Sequence, residues 1–219
     1  MPLMKGERDL LSFGLHALGI GVNQKIMDRF SLFIEELFLW NSKTNLVGTS
    51  SRREVIIRHI FDSLSVYNLL KNRKGSILDV GAGAGFPSIP LAIVDDTLSI
   101  YAVERRARRA SFLKNAAVLL KIDNFSVLEC DMRDVKGLFD TILARGVAEL
   151  ARLYDLSQGL MKERSMIIAF KGKITEIEKE VARLKSKAAE NREMNLRVQK
   201  VKVPCLDEEE RNIVIIETK

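Results

Sequence analysis

SILDVGAGAGFP, residues 76–87, is the stretch that decides the fold. Its apolar first half predicts a strand that is covered on both faces of a sheet. Gly81, Gly83 and Gly85 follow at alternate positions. Because glycine has no Cβ, these three residues let the backbone turn sharply and approach a ligand closely. The proline that ends the stretch suits the first turn of a helix. The pattern therefore predicts a strand, a ligand-binding turn and a helix in succession.

The composition is that of a water-soluble globular protein. The chain has 219 residues, of which 47% are hydrophobic and 29% charged, and it lacks the long apolar run that a membrane span needs. Its first ten residues are too charged for a secretion signal. Cys130 and Cys205 stand far apart, which disfavours a disulfide framework and a zinc site. We expect a cytoplasmic monomer that does not contact membranes.

Positive charge is concentrated in three clusters. The formal net charge is +6 and the pI is about 9.3, values compatible with a polyanionic partner. Such clusters are more often solvated helix faces, but their closeness to the glycine loop favours phosphate contact. The clusters are Arg52, Arg53 and Arg58; Lys71, Arg73 and Lys74; and Arg105, Arg106, Arg108 and Arg109.

Strands that alternate with helices predict an α/β fold with a mostly parallel sheet and helices on both faces. Helical spacing before the glycine loop predicts an N-terminal helical extension packed on that sheet, over residues 1–75. The two final strands have no helix between them, so one of them should be antiparallel. Helices are expected at 7–20, 24–40 (capped by Asn23), 51–70, 87–94, 105–120, 147–161 and 175–191, and strands at 76–80, 98–103, 125–128, 139–143, 165–170, 196–203 and 212–217.

Ligands of open parallel sheets bind at the carboxyl ends of the strands, and polar residues stand at those positions here. Glu104 ends the second strand and could accept hydrogen bonds from ribose hydroxyls. Asp131 or Asp134, after the third strand, could meet an adenine amino group; the sequence does not decide between them. Arg145 could lie beside a cofactor carboxylate or an RNA phosphate, and Lys171 could also meet phosphate.

Several segments carry a family resemblance. The order D-V-G-A-G-x-G is typical of S-adenosylmethionine (SAM) methyltransferases, whereas the dinucleotide fingerprint places its third glycine one residue later. From about residue 24 onward the chain resembles the bacterial 16S ribosomal RNA guanine-N7 methyltransferases, the RsmG (GidB) family. Glu104 stands where many members have Asp, and Gly146 where Ala is usual. The matching segments are ILDVGAGAGFPSIP (77–90), WNSKTNL (40–46), RHIFDSL (58–64), VERRARRASFL (103–113), ARGVA (144–148) and FKGK (170–173).

The resemblance implies a class I SAM-dependent methyltransferase with a seven-stranded Rossmann-like sheet, in which residues 76–219 form the SAM-binding domain. It implies methyl transfer to N7 of a guanine in the 530 loop of 16S rRNA, with the 30S subunit as partner. Since N7 carries a lone pair and no proton, no general base is required. The implied cofactor residues are Gly81, Gly83, Phe86, Glu104, Arg133, Asp134 and Arg145, and the substrate-side candidates are His59, Asp62 and Lys171.

Two alternatives stay open on the sequence. One is a SAM-dependent methyltransferase that acts on a protein or a small molecule. The other is a non-catalytic RNA-binding protein with the same fold. A dehydrogenase is disfavoured by the position of the third glycine.

Overall fold

A computed structural model describes residues 3–73, 75–188 and 194–218. The strands in these ranges are β1 (Ser76–Val80), β2 (Ser99–Val103), β3 (Phe125–Leu128), β4 (Phe139–Arg145), β5 (Met161–Lys171), β6 (Met194–Lys200) and β7 (Asn212–Thr218). They form one seven-stranded sheet with the strand order β3-β2-β1-β4-β5-β7-β6. Strands β1 to β5 pair in parallel, and β7 runs antiparallel to both β5 and β6.

Helices cover both faces of the sheet, and short segments make up the region just before β1. The α-helices in the described ranges are α1 (Lys5–Ala17), α2 (Gln24–Thr44), α3 (Arg52–Val55), α4 (Asp62–Leu64), α5 (Tyr67–Leu70), α6 (Ser88–Val94), α7 (Ala107–Leu120), α8 (Leu150–Ser157) and α9 (Ile174–Ala188). A π-helical segment, Ile56–Phe61, lies between the two short helices α3 and α4.

The register brings the carboxyl ends of four strands to one edge of the sheet. Val80, at the end of β1, lies opposite Val103 of β2 and Ala144 of β4. Arg145, at the end of β4, lies opposite Phe170 of β5. The loops that follow these strands therefore emerge side by side, where α/β folds bind their ligands.

The N-terminal helices pack on one face of the sheet. α2 contacts α7 and α6, and apolar side chains from α2 join the same buried cluster as those of β1 and β2. Phe33 of α2 meets the Phe86 ring edge-on at 5.5 Å and lies 6.4 Å from Phe112 of α7. A second buried cluster fills the opposite face under α8 and α9. Burial of such rings stabilises the fold by about 1.5–3 kcal/mol for each side chain.

The predicted fold class is confirmed, and so is the Asn23 cap, whose side chain accepts a hydrogen bond from Ile26 N at 2.9 Å. Several predicted boundaries were wrong. The helix expected at 147–161 is found at Leu150–Ser157, followed by a 3₁₀ turn at Gln158–Leu160, and it cannot include Met161 because β5 begins there and pairs with Phe139. The helix expected at 51–70 is broken into α3, the π segment, α4 and α5.

Three smaller differences concern segment ends. Pro87 precedes α6 as its N-cap and follows a cis peptide bond, so it is not in the first turn. The strand expected at 196–203 is found at Met194–Lys200. The helix expected at 175–191 is found at Ile174–Ala188. Residues 189–191 of that prediction lie outside the described residues, as does Lys74 of the second basic cluster. Within the described ranges, none of the helices is both long enough and apolar enough to cross a bilayer.

Candidate functional site

Two neighbouring clefts open at the carboxyl edge of the sheet and share one wall. We call the first, of about 400 Å³, the glycine-loop cleft, and the second, of about 610 Å³, the Lys171 cleft. The residues Gly146, Val147 and Ala148, directly after β4, line both of them. This three-residue segment, the shared wall, therefore separates two spaces that could each hold a ligand.

Gly81, the first residue of the glycine loop, lines the first cleft. Gly81 has φ +67°, and a Cβ built on it would lie 3.1 Å from Cγ2 of Val147 in the shared wall. Its left-handed backbone and this close approach both favour glycine. The next residue, Ala82, donates its N–H to Val103 O at 3.0 Å, which fixes the loop to the end of β2.

Glu104 ties the loop to the next helix. Its carboxylate is buried and accepts hydrogen bonds from Gly83 N at 3.1 Å and from Arg106 N at 2.8 Å. Each carboxylate oxygen keeps a further lone pair for another donor. Glu104 also lines the glycine-loop cleft. It is therefore a fixed acceptor at the end of β2, as the sequence predicts.

Asp131, and not Asp134, lines the glycine-loop cleft. Its carboxylate accepts hydrogen bonds from the side chain and backbone of Arg133, and these lower its pKa to about 2. Asp131 is therefore ionised, and only an acceptor, at neutral pH. Arg133 and Asp134 are exposed beside the cleft, so the structure gives Arg133 a role in holding Asp131.

Asp79 is buried beneath the loop. One of its oxygens accepts a hydrogen bond from Ser88 N at 3.3 Å, whereas Oδ1 and the Ser88 hydroxyl have no partner in the described ranges. Burial raises the pKa of Asp79 to about 7. Its position under the glycine loop and at the start of α6 links the loop to the helix that follows it.

Arg145 connects β4 to the N-terminal helical region. Its Nε donates to Asp62 Oδ2 at 2.7 Å, and one terminal nitrogen donates to the backbone oxygen of Arg58 at 2.8 Å. The other lies 3.2 Å from Nδ1 of His59. The sequence predicts Arg145 beside a cofactor carboxylate or an RNA phosphate, whereas the structure places it in the Lys171 cleft with its donors turned to the helices.

His59 and Phe86 stack on one another inside the protein. Their ring centroids are 5.0 Å apart and the rings are 26° from parallel. Burial, followed by the charge of Arg145, lowers the His59 pKa to about 4, so the ring is neutral at pH 7. Its Nδ1 then accepts from Arg145 and its proton lies on Nε2. Phe86, expected to line the cofactor pocket, is instead a core side chain packed against Phe33.

The Lys171 cleft holds a second set of charged groups. Lys171 Nζ, at the end of β5, donates to Glu180 of α9 at 2.7 Å and to Ala148 O at 3.1 Å. Arg211 approaches Asp62 at 3.5 Å, so this buried carboxylate faces two guanidinium groups. Asp62 and Lys171 are predicted from the sequence, whereas Glu180 and Arg211 follow no motif and reach the cleft only through the fold.

Positive charge surrounds the glycine-loop cleft. Four arginines line it: Arg105, Arg106, Arg109 and Arg152. Arg105 lies 3.7 Å from Asp131, and Arg106 and Arg108 are exposed. The first basic cluster is partly engaged within the protein, since Arg58 pairs with Glu54 and Glu209. Across the described ranges, no three His, Cys, Asp or Glu side chains are grouped as a metal site requires.

Solved structures share the fold of this chain. A putative O-methyltransferase from Klebsiella pneumoniae has a TM-score of 0.60 at 11% identity, covering 96% of both chains. The M. jannaschii protein TYW2 in complex with AdoMet has a TM-score of 0.52 at 24% identity and covers 67% of this chain and 68% of its own. At these sequence identities the structural similarity is evidence for the fold alone.

Sequence relatives give the family. Ribosomal RNA small subunit methyltransferase G of Bacillus mycoides is 35% identical over 218 residues, covering 94% of this chain and 87% of the relative. The protein of the same name from Nitrosococcus oceani is 34% identical over 174 residues, covering 78% and 80%. Residues 26–214 match the sequence profile of GidB, described as rRNA small subunit methyltransferase G. The chain therefore belongs to this family of SAM-dependent rRNA methyltransferases, as its motifs predict.

Proposed function

We propose that this chain transfers the methyl group of SAM to N7 of a guanine in the 530 loop of 16S rRNA, with the 30S subunit as its partner. We further propose that SAM binds in the glycine-loop cleft and that the guanine enters the Lys171 cleft. The observation that carries this proposal is the shared wall, because the same three residues line both spaces, which are therefore adjacent. At the edge of this wall the N7 lone pair could contact the methyl carbon directly.

The glycine-loop cleft suits SAM. Its volume of about 400 Å³ is within the usual range of about 300–1,000 Å³ for small-ligand sites. Glu104 and Asp131 offer carboxylate acceptors for ribose and adenine donors, while Gly81 and Gly83 leave room for the methionine part. Apolar Val103 and Leu156 could pack on the adenine ring. We propose these residues as the cofactor site, with Arg133 orienting Asp131.

The chemistry needs little from the protein beyond position. SAM supplies an electrophilic methyl group on a positively charged sulfur. The N7 lone pair forms the new N–C bond while the S–C electron pair returns to sulfur, so the guanine becomes cationic and no proton is removed. Holding N7, carbon and sulfur in line can supply much of the rate enhancement. The proposed reaction is therefore complete without a basic side chain.

The arginines around the cleft support an RNA substrate. SAM carries one carboxylate, whereas four arginines line its proposed site and the protein has a net charge of +6. The excess of positive charge suits phosphate groups that flank a target base turned out of its stack.

We place the activity in the cytoplasm, where ribosomal RNA is found, and propose that the enzyme is a monomer. We also propose the helical extension (1–75) and the methyltransferase domain (76–219) as the two parts of the chain.

The test combines cofactor binding with product mapping. Calorimetry should show SAM binding by the wild-type protein and strongly weakened binding by Glu104→Ala. After incubation with SAM and 30S subunits that lack the modification, digestion and mass spectrometry should find one N7-methylated guanine in the 530 loop. Methyl transfer only to proteins or metabolites, or RNA binding without SAM binding, would contradict the proposal.

A further inference from the structure

We propose that Glu180 recognises the target guanine. In this proposal the Oε1 atom of Glu180 accepts hydrogen bonds from the N1–H and the 2-amino group of the base. This inference rests on the proposed function, because it assumes that a guanine enters the Lys171 cleft. It assigns base recognition to a residue on α9 that no motif indicates.

Glu180 is held in a fixed position with one oxygen unused. Its Oε2 accepts from Lys171 Nζ at 2.7 Å and from Leu150 N, at the start of α8, at 2.9 Å. The structure gives Oε1 no hydrogen-bond partner within the described ranges, although the side chain is mostly buried and lines the cleft. Two bonds to one oxygen orient the carboxylate, and the other oxygen is left for a ligand in the cleft.

The other carboxylates of the Lys171 cleft are less suitable. Asp62 uses one oxygen for Arg145 and turns the other toward Arg211. Glu149 is 57% exposed and pairs with Arg183 at the rim. Glu180 alone among these three combines burial, fixed geometry and an oxygen without a partner.

The strand order puts Glu180 on the correct side of the base. The glycine-loop cleft lies over β1 and β2, the shared wall follows β4, and the Lys171–Glu180 pair lies at the end of β5, one strand further on. In guanine, N7 and the N1–H with the 2-amino group lie on opposite edges. A guanine whose N7 points past the shared wall toward the glycine-loop cleft therefore turns its donor edge the other way, toward the end of β5, where Lys171 holds Glu180.

A carboxylate at that edge also favours the reaction. Methylation at N7 makes the ring cationic and its N1–H more acidic, so a hydrogen bond from N1–H to a carboxylate becomes stronger as the methyl group moves. Interactions that are stronger in the transition state than in the bound substrate raise the rate of the chemical step. Glu180 would thus contribute to base selection and to kcat together, while the N1 proton stays on the base.

The experiment compares guanine with inosine, which lacks only the 2-amino group, at the methylated position of 16S rRNA assembled into 30S subunits by ligation. For the wild type we expect kcat/KM to fall about tenfold or more with inosine, the usual effect of losing a hydrogen bond to a charged group. In Glu180→Gln the guanine rate should fall and the guanine-to-inosine ratio should shrink to within about twofold, because the charged acceptor is gone.

Two variants separate recognition from structure. Glu178→Gln removes a charge from the exposed face of the same helix and should keep the wild-type ratio. Lys171→Gln breaks the ion pair but leaves the carboxylate and its hydrogen bond from Leu150 N, which still orients it, so this variant should lower activity and also keep the ratio.

Three results would overturn the inference: a guanine-to-inosine ratio near one for the wild type, an unchanged ratio for Glu180→Gln, or a ratio near one for Lys171→Gln. The first result is measured on the wild type alone, so it does not depend on whether any variant folds. These three results are distinct from a failure of the proposed function, in which the wild-type enzyme would not methylate guanine itself.

Discussion

Asp79 has lost its contact with water, and this makes its charge state dependent on folding. Burial raises the pKa of its carboxyl from 3.8 to about 7, so at pH 5 to 6 the folded protein keeps a proton that the unfolded chain has released. The proton bound to Asp79 therefore stabilises the folded state at low pH, and this contribution to the free energy of unfolding is lost as the pH rises toward 7. His59 acts in the opposite direction, since its pKa falls from 6.5 to about 4 and its contribution is lost as the pH falls through that window.

Asp79→Asn should isolate the first effect. The substitution removes one titrating group and leaves His59 in both proteins, so its contribution cancels in the comparison. Between pH 5 and pH 6.5 the free energy of unfolding of the wild type, relative to Asp79→Asn, should fall by about 1.4 kcal/mol per pH unit. Urea denaturation at several pH values measures this. Parallel pH profiles for the two proteins would show that Asp79 is ionised in the fold.

Single residues differed greatly in how well the sequence predicted them. Glu104 was predictable because it directly follows an apolar strand, where α/β folds place ligand-binding side chains. Glu180 was not, because it lies in a helix rich in charge, and only packing shows which charges turn inward. Phe86 follows the glycines in sequence, yet its ring is buried among other aromatic rings, since an apolar ring is more stable there than beside water.

At the scale of elements, a π-helical segment holds the two halves of the site together. Ile56–Phe61 contains Arg58 and His59, and Asp62 follows at once; all three contact Arg145 at the end of β4. π-helical turns are rare and are often found at functional sites. Because Arg145 directly precedes the shared wall, the helical region and the wall are positioned by the same guanidinium group.

Arg145→Gln should therefore destabilise the protein. Asp62 is buried, and removing the main partner of a buried charge typically costs about 3–5 kcal/mol. Because Arg211 remains near Asp62, we expect a loss of about 3 kcal/mol in urea denaturation.

Two further variants test the cause of that loss. The double variant Asp62→Asn/Arg145→Gln should lose less than the two single variants together, by about 1 kcal/mol or more. Glu149→Gln, in an exposed ion pair, is the control and should change stability by less than about 1 kcal/mol. Strictly additive losses from the single variants would refute the proposed coupling.

The elements themselves were predictable where one periodicity extended over a whole segment, as in β1 and α2. The interval between β4 and β5 was not. Its apolar residues suit a longer helix, but the pairing of Met161 with Phe139 begins β5 early and leaves α8 only eight residues. Pairing between segments distant in sequence decided the boundary, and no local pattern records it.

For the whole molecule, the distribution of positive charge predicts how substrate binding responds to salt. Arg106 and Arg108 are exposed next to the glycine-loop cleft. Each phosphate contact to single-stranded RNA contributes about 0.7 to the slope of log K against log salt.

Arg106→Gln/Arg108→Gln should therefore weaken binding to 30S subunits and reduce this slope by roughly 1.4. Filter binding across a salt series measures the slope. Arg164→Gln, which removes a positive charge near the opposite end of β5, is the control and should leave the slope unchanged. Equal slopes for the double variant and the wild type would show that the RNA lies elsewhere.

The shared wall also has a consequence for inhibitor design. In the proposed complex, methyl donor and acceptor lie in the two clefts beside Gly146–Ala148. A compound that joins an adenosine fragment to a purine fragment therefore needs only a short tether, long enough to pass this loop. A short tether keeps the effective concentration of the second fragment high once the first has bound. The same compound would fit poorly in enzymes that hold only an adenosine, so the loop offers selectivity as well as affinity.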